Sequence, residues 1–277
     1  MVNVLQAIQD DLSDALASDN LELPVLPEVA LAIRDATADP KTNAANLAAV
    51  ISQDAGVSGQ LIKVANSSMY RGANAIEHLP MAISRIGLLN AANIATGLAM
   101  RQMFDAGEPG AEQILRDAWK HATDIAGFAS VNAKYFTKLK PDQATLAGLT
   151  HNIGILPILK FASQHQKLLE NRELLDRVME KLHPTLGLQI LEAWDFPDEI
   201  KAVPANYLNF DLDEEETTYV DVVQVAYLQC KKGSNHPHAE IDCAKLRSFQ
   251  KLGLGDAEAQ EDDLSEQMSA ATQVLYS

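Results

Sequence analysis

Apolar residues along this chain recur at spacings of three and four rather than two, the pattern of helices that each bury one stripe. Leu5, Ile8, Leu12 and Leu16 set it at the start. Pro24 and Pro27 then impose extended backbone on LELPVLPEV, and a second helix is predicted over 27–38, ending before Pro40. Leu47, Val50 and Ile51 mark a third helix, and Val57, Leu61, Val64 and Ala65 a fourth. A loop at 70–74 and a short helix from Pro80 lead into 88–104, which reads as one buried helix.

The GEPG stretch at 107–110 is the clearest break, because two glycines and a proline do not continue a helix. Beyond it, 111–136 is predicted as a long helix with Ile114, Ala118, Ala122, Ile125 and Ala129 on one side. Further helices are predicted near 142–160, 163–181, 185–193, 197–207 and 216–231, with one or two more in 239–277. Pro157 is expected to kink or end its helix, and His183, just before Pro184, to stand at a helix start. No segment alternates with period two and no repeat stands out. The expectation is an all-α, multi-helix fold with two packed helical lobes, residues 1–106 and 107–235, and a helical extension, 236–277, that packs across them.

Composition narrows the class. The hydrophobic fraction of 47% is dominated by Ala and Leu, which lose little rotamer freedom in helices. A net charge of −16 and only 5% aromatics argue against phosphate-backbone binding and base stacking. Cys230 and Cys243 have neither metal-type nor redox-type spacing and read as reduced thiols. No basic n-region opens the chain and no apolar run reaches about 20 residues, so the expectation is a cytoplasmic protein without membrane or nucleic-acid partners.

For chemistry the informative stretch is LAGLTHNIGILPIL, 146–159. A divalent cation held by histidines also needs carboxylates to anchor it and balance its charge. Here His151 is followed by Asn152, whose neutral amide oxygen does neither. Nucleophile elbow, P-loop and dinucleotide fingerprints are absent. His121 has Asp117 and Asp124 on its own helical face, which favours a hydrogen-bonded structural role. His151 and Asn152 read as a buried polar pair, and Trp119 and Trp194 as core anchors. Asn66, Ser67, Ser68 and Tyr70 lie where a helix passes into a loop; local backbone bonding is the simpler role, and a polar cleft or hinge between lobes the functional one. The acidic patch at 261–263 reads as solvated.

From about 21 to 232 the chain resembles the HDOD family, the HD-related output domains of bacterial signalling proteins. The resemblance rests on LPVLPEVALAI (23–33), ISQDAGVSGQLIKVANSSMYRG (51–72), IEHLPMAISRIGLLN (76–90), WKHATDIAGFA (119–129), AGLTHNIGIL (147–156) and HPTLGLQILEAWDFPDEIKAV (183–203), in that order. It implies an HD-like helical scaffold. Carried over by position, the first metal histidine of the HD superfamily matches His121, the HD pair falls on His151 and Asn152, and a later histidine on His183. The following paired histidine falls near Asn206 and Tyr207 and is absent. The closing aspartate falls on Tyr227; Asp221 lies six residues earlier, on another face.

These departures imply a degenerate site with no catalytic residue, no cofactor and no metal, and a protein acting on signalling partners through its surface. Two alternatives stand beside this reading. In the first, His121, His151 and His183 converge as a three-histidine zinc site of a residual phosphohydrolase. In the second, a nucleotide messenger occupies the inter-lobe cleft, with Arg85, Arg101 or Lys120 pointing inward.

Overall fold

Short polar side chains at the helix starts settle where several helices begin. Asn43 accepts from the amides of Ala45 and Asn46, Asp54 from that of Val57, and Asn171 from that of Leu174. In the computed structural model, which describes residues 2–18, 21–70, 72, 74–105, 109–254, 268, 271–273 and 275, the chain is helical, with no strand among those residues. The first half comprises α1 (Val2–Ala17), α2 (Glu28–Ala38), α3 (Ala44–Ile51), α4 (Ala55–Asn66), α5 (Leu79–Ile86), α6 (Leu88–Ala99) and α7 (Arg101–Asp105). The second comprises α8 (Glu112–Phe136), α9 (Pro141–Thr150), α10 (Ile155–Ser163), α11 (Gln166–Leu169), α12 (Arg172–Ala193), α13 (Asp198–Asn206) and α14 (Tyr219–Lys231). Two 3-10 turns, Pro237–Glu240 and Cys243–Lys245, and α15 (Arg247–Lys251) follow. None of the described helices is long and apolar enough to cross a membrane.

A continuous apolar core runs through both halves, from Leu12 to Leu275. Of the N-terminal stripe, Leu12 is buried and Ile8 packs on the core; the side chains of Leu5 and Leu16 lie outside the described residues, as do Gly107 and Glu108 of the GEPG break and the acidic patch at 261–263. Trp194 ties the halves together: its indole N–H donates to the carbonyl of Pro24 at 3.0 Å, and the Arg34 guanidinium donates to the Trp194 carbonyl. Trp119 is buried against Phe104, so both tryptophans are core anchors.

Three predicted elements are corrected. The helix over 88–104 breaks at Met100 into α6 and α7. The helix over 142–160 is two helices with a turn at 151–154, and Pro157 neither kinks nor ends a helix. It sits in the first turn of α10, where its missing N–H costs nothing. Conversely, 172–193 is one helix that carries Pro184 inside it. Proline leaves the Glu180 carbonyl without its usual amide; the His183 ring interacts with that carbonyl and donates from Nδ1 to Met179 O at 2.7 Å. His183 therefore stands mid-helix and not at a helix start.

Close backbone contacts set the geometry of the second half. A side chain on Gly148 of α9 would place Cβ 2.4 Å from the Ala126 Cα of α8, and one on Gly154 would place it 2.1 Å from the His183 carbonyl oxygen of α12. Both neighbours are backbone and cannot rotate away. Behind α14, the buried Asp221 carboxylate accepts from the Thr218 amide at 2.8 Å and pairs with the equally buried Lys251 ammonium at 2.9 and 3.1 Å. Asp221 thus pins the C-terminal region to the helix start and points away from the Tyr227 face.

Gly154→Ala is expected to destabilise the fold by about 3 kcal/mol or more in urea titrations, because the clash is with backbone on both sides. Gly59→Ala, inside α4 with nothing within 4 Å of the added carbon, is expected instead to stabilise by roughly 0.5–1 kcal/mol.

Candidate functional site

The turn after α9 presses against α12 and carries His151 and Asn152 into the interior, while His121 arrives from the middle of α8 and Tyr227 from α14. Tyr207, the residue ending α13, fills the space between them. The rings form a chain of edge-on and tilted contacts. His121–His151 centroids are 5.8 Å apart, His151–Tyr207 5.0 Å, His183–Tyr207 5.7 Å, Tyr207–Tyr227 5.4 Å and His121–Tyr227 5.9 Å. The sequence positions assigned to the HD-type site are thus brought together, all of them buried or half-buried.

Each polar atom has a local task. His151 donates from Nδ1 to the Gly148 carbonyl at 2.6 Å, which leaves Nε2 as a buried lone pair without a partner. His183 donates from Nδ1 to Met179 and accepts at Nε2 from the Tyr207 hydroxyl at 2.8 Å. The Asn152 amide N–H donates to the Ala118 carbonyl at 3.0 Å, and its oxygen is buried without a partner. The Tyr227 hydroxyl and His238 Nδ1 share a hydrogen bond of 2.9 Å.

His238, His236 and Lys231 were not singled out from the sequence. The 3-10 turn at Pro237–Glu240 folds His238 onto Tyr227 (5.7 Å) and holds His236 beside it (6.3 Å). Lys231 places its ammonium 5.0 Å from the Tyr227 ring centroid. The His-Pro-His tripeptide was a legible signal, since it holds two of the seven histidines in the chain.

The electrostatics are those of a neutral interior. Burial, reinforced by Lys231 and His236, pushes His121 down to about 3, and burial, opposed by its bonds to Met179 and Glu180, holds His183 at about 4. His151 is also driven well below the ordinary histidine value, by burial first and His121 second. Burial raises both phenols, so Tyr207 and Tyr227 remain protonated.

Such a centre does not fit a divalent metal. Among the described residues, no group of three or more His, Cys, Asp or Glu is placed to hold one, so His121, His151 and His183 do not converge as a three-histidine site. Asn152 replaces the bridging acid, Tyr207 occupies the space between two of the imidazoles, and Lys231 adds positive charge at the rim.

The other candidates fall elsewhere. Arg85 donates to the Asn74 carbonyl at 2.7 Å, Arg101 pairs with Asp105 at 3.2 Å, and Lys120 is exposed; none of the three points into this centre. Asn66 clasps Ile76, giving and receiving bonds of 2.8 Å, and so fastens the loop after α4. The Ser67 hydroxyl donates to Val64 O at 2.7 Å. Ser67 and Tyr70 also line a small cavity between the halves, with Ile94, Gly127 and Thr145. Cys230 and Cys243 are both unpaired.

Neutral buried imidazoles link stability to pH. Below the ordinary histidine value of 6.5 the unfolded chain takes up protons that His121 and His183 refuse in the fold. Stability is therefore full above about pH 7 and falls as pH drops, by about 2 kcal/mol per histidine at pH 5, the loss continuing toward pH 4 for His183 and pH 3 for His121. Urea unfolding at pH 7.5 and pH 5 is expected to show this loss, and His183→Gln to reduce it.

The comparisons agree with this architecture. A crystal structure from Shewanella amazonensis SB2B, of a protein provisionally named a metal-dependent phosphohydrolase, is 29% identical, with 100% of this chain and 99% of that one covered and a TM-score of 0.85. An HDOD domain protein of unknown function from Geobacter sulfurreducens shares the fold at 18% identity, 99% coverage of both chains and a TM-score of 0.71. An uncharacterized protein of Treponema pallidum (strain Nichols) is 22% identical over 212 residues, 71% of this chain, which spans only 39% of that protein's length. The HDOD domain model matches residues 23–208, ending before α14, so the resemblance drawn to residue 232 extends past the matched region. With that match covering most of its length, the chain belongs to the HDOD domain family.

Proposed function

We propose that the protein is a non-enzymatic signal-transduction module that acts by presenting its helical surface to other proteins. The observation that supports this reading is the closure of the HD-type centre by neutral groups: Asn152 spends its amide N–H on the Ala118 carbonyl and Tyr207 spends its hydroxyl on His183. A hydrolytic centre of this superfamily needs a metal-bound water and acids to charge-balance it. The imidazoles here are instead held neutral, and the nearby cation is Lys231. What remains is a rigid buried core whose product is shape. A crystal structure from Marinobacter aquaeolei VT8, of a protein provisionally named for signal transduction, shares the fold at 24% identity and a TM-score of 0.64, with 99% of this chain and 66% of that one covered. Its name is consistent with the reading, although the likeness itself extends to the fold alone.

The test is metal content by mass spectrometry of protein purified without a metal-affinity tag, with His121→Ala and His151→Ala alongside and a phosphodiester hydrolysis assay on each. Substoichiometric zinc, iron and manganese in all three, and no hydrolysis that depends on these histidines, are the expected outcome. Stoichiometric metal that both variants lose, together with hydrolysis, would sink the reading.

A further inference from the structure

Met268, Ala271, Thr272 and Leu275 are helical and recur at intervals of three and four, so they share one face. Met268 and Leu275 are buried, at 6% and 5% exposure, whereas Gln273 is exposed. The buried face lies in a groove between the two halves of the chain. Ala271 and Leu275 line its small cavity with Val64 and Ile94 from the first half and Gly127, Ser130 and Thr145 from the second.

The crossing over α8 is at backbone range. A Cβ on Gly127 would stand 2.8 Å from the Thr272 nitrogen and 3.0 Å from its Cα. Helices approach this closely only where small residues meet, and a glycine in the middle of the 25-residue α8 is otherwise unfavourable there. The groove is therefore shaped for a helix with a small residue at the crossing and an apolar residue about one turn to each side. The stretch leading to this segment, 255–267, carries Asp256, Glu258, Glu261, Asp262, Asp263 and Glu266 and no Lys or Arg, a composition that favours solvation over burial.

We propose that the segment carrying Met268, Ala271, Thr272 and Leu275 is a cis-acting latch: these residues occupy a helix-docking groove between the halves that, once vacated, takes a partner protein's helix of the same design. The partner's identity as a signalling protein rests on the function proposed above; the latch does not. A tethered segment with two buried anchors holds its groove mainly through effective concentration, and a free helix that makes more contacts can replace it.

The experiment uses the full chain and two readouts. In hydrogen exchange, Gly127→Ala is expected to speed exchange across 268–275 by about tenfold or more while α8, which gains helix propensity, stays protected. In binding, a labelled peptide of residues 264–277 is expected to bind the Met268→Asp/Leu275→Asp variant at least about tenfold more tightly than the parent, whose groove is filled. Circular dichroism confirms that each variant is folded, and the double variant alters only the tail, so a folding failure of Gly127→Ala leaves the binding arm decisive. Exchange in the parent as fast as in the free peptide, or equal peptide binding by parent and double variant, would overturn the proposal. So would a dimer that dissociates in Gly127→Ala, which would place the segment on a second copy. A metal-loaded, hydrolytic parent would defeat the proposed function and leave both latch readouts unaffected.

Discussion

The contact on which the second half depends is the one between the turn after α9 and the body of α12. At Gly154 the two backbones are so close that a single methyl would overlap the His183 carbonyl, and at Gly148 the same helix is pressed onto α8. Because neither neighbour is a movable side chain, the relative positions of α8, α9 and α12 are not adjustable by small repacking. His121, His151 and His183 ride on these three elements, and their mutual distances follow from the backbone contacts.

That rigidity keeps a cluster rich in imidazoles in a desolvated interior. Three rings brought to one place in water would titrate near neutrality; here burial removes the solvent that would stabilise their charged forms, and His151 is further from protonation for having His121 and His183 nearby. Tyr207 and Tyr227 complete the arrangement as neutral phenols of matching size. Such a centre holds α8, α12, α13 and α14 of the second half in register.

The same logic of close backbone approach recurs on the opposite side of α8. His121 belongs to the tyrosine cluster, whereas Gly127, six residues later and turned to another face, admits the C-terminal segment between the halves. One long helix thus supports both the closed centre and the groove.

Much of this was legible in the residues. The spacing of Val57, Leu61 and Val64, or of Ala122, Ile125 and Ala129, specifies helices because only one periodicity buries those side chains together, and the loss of the acid beside His151 is visible without a structure. Helix ends were less legible. Pro157 and Pro184 are chemically alike, yet one lies harmlessly in a first turn and the other inside a continuous helix, because what decides is whether an orphaned carbonyl finds another partner. The sequence by itself determined an all-helical chain and the presence of Asn152 and Tyr227 at the positions matched to the HD-type acids, since both follow from residue type and local spacing. Only the tertiary structure decided that Tyr207 fills the space beside His151, that His238 closes over Tyr227, and that Thr272 sits against Gly127, because these contacts depend on how closely separate elements pack.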